Sequence, residues 1–264
     1  MDISTIFGLI FGFASLIGGY ALEGGHIESL MIMTAAIIVF GGTIATVIIS
    51  FPMSQLKQFP QALSMAFVER KRNPHLIINE IVDMATVARR EGVLALEQRA
   101  QEHTNPFLKE GLLMVVDGTD PELTRQILEL EMDALESKHD GYAKMFDAAG
   151  GYAPTIGIIG TVLGLVHVLG NLTDPDSLGP KIAVAFVATL YGVAAANLLF
   201  LPIGNKIKMR SKEQISDMEL MLEGILGLQA GENPQLIKKK LNSFLQDKGS
   251  KKYQAEAGSN VEAI

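Results

Sequence analysis

Four stretches of this sequence carry no Asp, Glu, Lys or Arg: Ile3–Leu22, Ser29–Leu56, Ala148–Thr173 and Ile182–Asn205. No other feature limits the fold as strongly. The hydrocarbon core of a bilayer is about 30 Å thick, and roughly 20 mostly apolar helical residues cross it. Each stretch is long enough. The chain is 48% hydrophobic, a share that soluble domains also reach, so the distribution of apolar residues decides the class rather than their total. The expected fold is all-α: a polytopic membrane protein with four transmembrane helices and a helical cytoplasmic domain. The first stretch reads as a span rather than a signal peptide, because "MDIST" has no basic n-region and a second span follows the "EGGHIE" turn.

Lys and Arg set the topology. Of 22 such residues in the chain, eleven lie in Pro52–Asp147 and ten after Asn205, leaving Lys181 alone between the last two spans. The positive-inside rule puts both large segments and both termini in the cytoplasm. The division expected is a first transmembrane hairpin over 1–51, a cytoplasmic helical domain over 52–149, a second hairpin over 150–205, cytoplasmic C-terminal helices over 206–248 and a disordered tail over 249–264. A net charge of −7 argues against nucleic acid.

Between the hairpins, Ile77, Ile78, Ile81, Met84, Ala85 and Ala88 recur at helical spacing. A later helix opens with Thr119 as its cap, Pro121 in the first turn and Glu122 against the dipole, and its apolar stripe is Leu123, Ile127, Leu130 and Ala134. Gly150 and Gly151 are expected to loosen its junction with the third span. A separate amphipathic helix follows the fourth span, stopped by Gly231–Pro234.

The spans are lean. Gly8, Gly12, Ser15 and Gly19 form a small-residue stripe in the first, Gly157, Gly160, Gly164 and His167 in the third, and Ala185, Thr189, Gly192 and Ala196 in the fourth. Small residues let helices pack closely in lipid. Pro154 and Pro202 sit at the cytoplasmic ends of the third and fourth spans, where they either end the helices or mark a flexing point. No span holds an acid, so an ion-moving role needs a titrating carboxylate from another chain. No nucleophile–base pair, phosphate loop or zinc spacing appears, and the chain does not read as an enzyme.

The stretches "YAPTIGIIGTVLGLVHVLG" (Tyr152–Gly170) and "LGPKIAVAFVATLYGVAAANLLFLPIGNKIK" (Leu178–Lys208) resemble the last two membrane helices of flagellar motor stator subunits of the MotA/PomA type. "FGGTIATVIISFP" (Phe40–Pro52) resembles their second helix, "VARREGVLALE" (Val87–Glu97) their cytoplasmic motif, and "GENPQLIKKKL" (Gly231–Leu241) their C-terminal segment. The resemblance implies a five-subunit ring around two copies of a MotB-like single-span partner that supplies a membrane aspartate. The ring would sit among the lipids of the bacterial cytoplasmic (inner) membrane. Inward ion flow would turn it against a rotor switch-complex protein (FliG-like). On the same ground Arg89 and Glu97, with Arg90 beside them, match rotor-facing charges. The paired placement of Pro154 and Pro202 at one depth on adjacent helices is expected to couple ion flow to the cytoplasmic domain. Thr161 and Thr189 offer hydroxyls to the ion. A threonine at 161 resembles sodium-driven members, which favours sodium with the proton as the alternative; no cofactor beyond the transported ion is implied. The other readings are a three-span TolQ/ExbB-type energiser of an envelope protein and a self-contained transporter, which needs broken helices in matched halves or its own intramembrane charges.

Overall fold

The structure, a computed structural model, describes residues 2–68, 72–170 and 178–245. It is helical throughout, with no strand among the described residues. The elements are α1 (Ile3–Leu22), α2 (Ile27–Ser50), α3 (Phe59–Phe67), α4 (Pro74–Glu91), α5 (Glu97–Gln101), α6 (Pro106–Val116), α7 (Pro121–Leu169), α8 (Leu178–Gln229) and α9 (234–245). α1, α2, α7 and α8 are long and apolar enough to cross a membrane. The expected tail over 249–264 and most of the loop between the last two spans lie outside the described residues.

Two compact units emerge, one formed by 1–70 with 137–211, the other by 71–136 with 212–264. The second is a helical core. Four of its helices open on the same device, an Asx residue followed by proline. Asn73 accepts from the Leu76 amide at 3.3 Å, Asn105 from the Leu108 amide at 3.2 Å, Asp120 from the Glu122 amide at 2.9 Å and Asn233 from the Gln235 amide at 2.9 Å. The side chain satisfies an orphan helix donor while proline fills the first turn, where no donor is needed. The cap of α7 is therefore Asp120, one residue after the expected Thr119. Ile78, Ile81, Met84 and Ala85 of α4 are buried as their spacing foretold, against Leu108 and Leu112 of α6 and Leu220 and Ile225 of α8.

The expected stripe of α7 is overturned. Leu130 is 68% exposed and Leu123 48%, whereas Leu128 is fully buried with Thr124. α7 carries two apolar rows at helical spacing, and periodicity cannot choose between them. Packing does: a Cβ on Gly111 of α6 would lie 3.2 Å from Leu128 and 2.4 Å from Ile225, so this layer closes over the Leu128 row.

The first unit holds the apolar helices. α1 contains no buried residue. α2 is composite: a 3-10 turn over Ile27–Leu30, extended backbone at Ile32, a helical turn over Met33–Ala36, a π turn over Ile37–Gly41, and α-helix to Ser50. α7 runs unbroken for 49 residues through Gly150, Gly151 and Pro154. α8 likewise continues through Pro202 to Gln229. Thus neither proline ends its helix, the glycine pair does not interrupt α7, and the amphipathic segment after the fourth span is the same helix. A proline ring crowds the carbonyl four residues back. In α8 the turns just before Pro202, Ala195–Phe200, are wound as π-helix, a local adjustment that accompanies such kink points.

Candidate functional site

The third and fourth spans approach through their small residues. A Cβ on Gly192 would fall 2.4 Å from the Ala153 carbonyl oxygen, one on Gly164 2.7 Å from the Ala185 Cβ, and one on Gly157 2.9 Å from the Ala188 oxygen. The backbones touch where any side chain would separate them. The first span differs: nothing lies within 4 Å of a Cβ on Gly8 or Gly19, and only Gly12 of its stripe meets a neighbour, Leu198 at 3.1 Å.

This contact brings Thr161 and Thr189 together. Their hydroxyls are hydrogen-bonded to each other. The Thr161 Oγ also lies 2.8 Å from the Ala185 carbonyl oxygen and 3.2 Å from that of Gly157. One hydroxyl proton serves one acceptor at a time. With Thr161 donating to Ala185, the shared bond is donated by Thr189. Four oxygens thus converge between the two spans, a donor set suited to a hard cation.

Pro154 packs against the fourth span, its Cα 3.1 Å from the position a Gly192 Cβ would take. Thr155 donates to the Tyr152 carbonyl at 2.8 Å, and the Tyr152 hydroxyl meets that of Ser50 at 3.1 Å. Leu201, beside Pro202, covers Gly150. Arg89 and Arg90 lie in the last turn of α4 and Glu97 begins α5, all exposed on either side of a turn that opens at Gly92 with φ +88°. Neither arginine forms an ion pair with a described residue, and Leu94 in the turn is 70% exposed.

Two groups outside the expected set organise the first unit. Asp2 caps α1, accepting from the Ser4 and Thr5 amides, and pairs with Lys206 and Arg210 of α8, each at 2.6 Å. Arg210 also donates to the carbonyls of Met65 and Val68 at the end of α3. The Lys206 ammonium foremost, then Ser4, Arg210 and the Thr5 amide, hold the Asp2 carboxyl well below the usual carboxylate range against the opposing effect of burial. Tyr191 of α8 is bonded to the backbone at the break in α2. Asp2 had a local signal, an acid directly before "IST" at a helix start; its cationic partners lie two hundred residues away and had none.

Helices of span length packed through glycine, with paired hydroxyls between them, define the chain as a helical membrane protein built for close, polar-lined packing. Comparison with known proteins carries this further. The model of the MotA/TolQ/ExbB proton channel family matches residues 99–220, and that of the motility protein A N-terminal region matches 6–92. Motility protein A of Bacillus subtilis is 39% identical over 98% of this chain and 96% of its own length, and chemotaxis protein PomA of Vibrio alginolyticus 37% over 94% and 96%. The flagellar MotAB stator complex of Bacillus subtilis superposes with a TM-score of 0.87 at 38% identity, covering 94% of this chain and 98% of the matched one. The chain belongs to the MotA/TolQ/ExbB family, and within it is a flagellar stator subunit of the motility protein A type, not an enzyme.

Proposed function

We propose that this subunit forms the ion pathway of a sodium-driven stator in the bacterial cytoplasmic membrane, with both termini in the cytoplasm. The observation that carries the reading is the oxygen cluster of Thr161, Thr189, Ala185 and Gly157 between glycine-packed spans. No carboxylate lies in the apolar part of any span. A second chain therefore supplies the titrating acid, and a MotB-like single-span partner fits that need. Five copies of this chain would ring two of the partner, and ion transfer at the partner's aspartate would step the ring round.

Coupling runs along α7 and α8, which pass unbroken from the apolar spans into the helical core. Pro154 and Pro202 are then flexing points inside continuous helices. Arg89, Arg90 and Glu97 present charge to a FliG-like rotor protein, where complementary charge speeds and orients encounter. The test is complementation. This chain, expressed with its partner in a cell lacking stators, should restore rotation, and replacing the partner's membrane aspartate with asparagine should stop it without dissolving the complex. Rotation that survives that replacement would remove the reading.

A further inference from the structure

The second span is broken where its helix should start. Met31 (φ −90°, ψ 72°) and Ile32 (φ −108°, ψ 103°) are non-helical, and no side chain caps the helix that restarts at Met33. The Leu30 carbonyl and the Ile32 amide therefore lack helical partners in an apolar setting, where unpaired backbone is costly. Both are satisfied by one group. The Tyr191 hydroxyl donates to the Leu30 carbonyl and accepts from the Ile32 amide at 3.3 Å, the two roles a phenol fills at once. Its ring lies 6.2 Å from that of Phe40 and packs on the buried cluster of Ala35, Val39, Val187 and Ala188.

Tyr191 stands two residues from Thr189 and next to Gly192. On one side of this turn the fourth span is fixed to the third, by the threonine pair and by the Gly192–Ala153 approach. On another it is fixed to the second, by Tyr191. We propose that Tyr191 is a positioning residue for the ion pathway: by bonding the break in the second span it sets where the Thr189 hydroxyl sits against Thr161. This inference rests on the ion-pathway reading above. It assigns the tyrosine no contact with the ion. Its action passes through the placement of the fourth span.

The experiment measures rotation speed against external concentration of the driving ion, in cells carrying the complete stator, with stator number per motor counted from a fluorescent tag on the partner. Tyr191→Phe keeps the ring and removes the hydroxyl. It should raise the half-saturating ion concentration roughly three- to tenfold, the size of one neutral hydrogen bond, at unchanged speed per stator under saturating ion. A role in folding alone lowers stator number and leaves half-saturation where it was; that result overturns the inference. If Tyr191→Phe fails to assemble, Tyr191→Gln decides: its amide can donate and accept at the break and so hold the two spans together, but its shorter reach draws the fourth span to a different distance and moves the Thr189 hydroxyl. A Gln variant that assembles with shifted half-saturation supports positioning, whereas wild-type half-saturation, or failure of both variants to assemble, overturns it. Wild-type speed that depends on no ion at all would instead defeat the ion-pathway reading.

Discussion

With no buried residue along its helix, the first span depends within the chain on its polar end. Asp2 is 7% exposed, and it holds two cations and two amides. Asp2→Asn keeps the capping oxygen, since Asn caps about as well as Asp, but removes the charge between Lys206 and Arg210. Breaking a buried pair by deleting one member costs about 3–5 kcal/mol when both partners are buried. Here Arg210 is 15% exposed and Lys206 32%, so about 2–3 kcal/mol is the working value. Asp2→Ala also loses the cap and should cost about 1 kcal/mol more. At 1.4 kcal/mol per factor of ten, about 2–3 kcal/mol raises the opening of the N-terminal turn roughly 30- to 140-fold. The chain has no cysteine, so a single Thr5→Cys probe read by maleimide labelling in the assembled complex reports that opening directly. The pH dependence has a definite sign. A carboxyl whose folded pKa is depressed stabilises fully above its unfolded value of about 3.9, and the contribution falls away as pH drops through the folded value. Protection of the probe, its labelling rate divided by that of a fully exposed cysteine at the same pH, should therefore be flat from pH 8 to 5. Asp2→Asn labelling within twofold of the parent, or parent protection lost between pH 7 and 5, would refute the anchor.

The remaining predictions concern packing, torque and rotor contact. Gly192→Ala should cost about 1–3 kcal/mol by overpacking against Ala153 and lower the melting temperature of the detergent-solubilised complex, while Gly8→Ala, with open space around it in the chain, should move it far less. Pro154→Ala and Pro202→Ala should insert and assemble normally yet reduce torque in tethered cells; normal torque would make them passive members of their helices. Reversing Arg89 and Glu97 together should abolish swimming while the stator still co-purifies with its partner, and normal swimming would refute their assignment to the rotor.

The spans were legible because lipid demands long uncharged runs, and the core face of α4 because Ile78, Ile81, Met84 and Ala85 recur at helical spacing. What escaped depended on partners far along the chain. Leu123 and Leu130 have the same period as Leu128, and only the surfaces of α6 and α8 select the Leu128 row. Pro154 and Pro202 carry a local stop signal, which the surrounding helix overrides because neighbouring turns re-form their bonds and α8 widens into a π turn. Thr161 and Thr189 were singled out through the family resemblance. Their direct bond was not, because it requires the register that Gly157 and Gly164 allow. Tyr191 passed unnoticed as one more large residue in an apolar helix, since nothing near it signals that α2 breaks at Ile32.

Under the proposed function, the oxygens around Thr161 and Thr189 coordinate sodium. Rotation of single motors measured against external sodium at constant proton-motive force tests it most directly. Speed should rise and saturate with sodium and fall to zero without it, and Thr161→Ala should abolish that response while the complex still assembles. Speed unchanged on removing sodium, with Thr161→Ala rotating normally, would contradict the account and leave the proton as the driving ion.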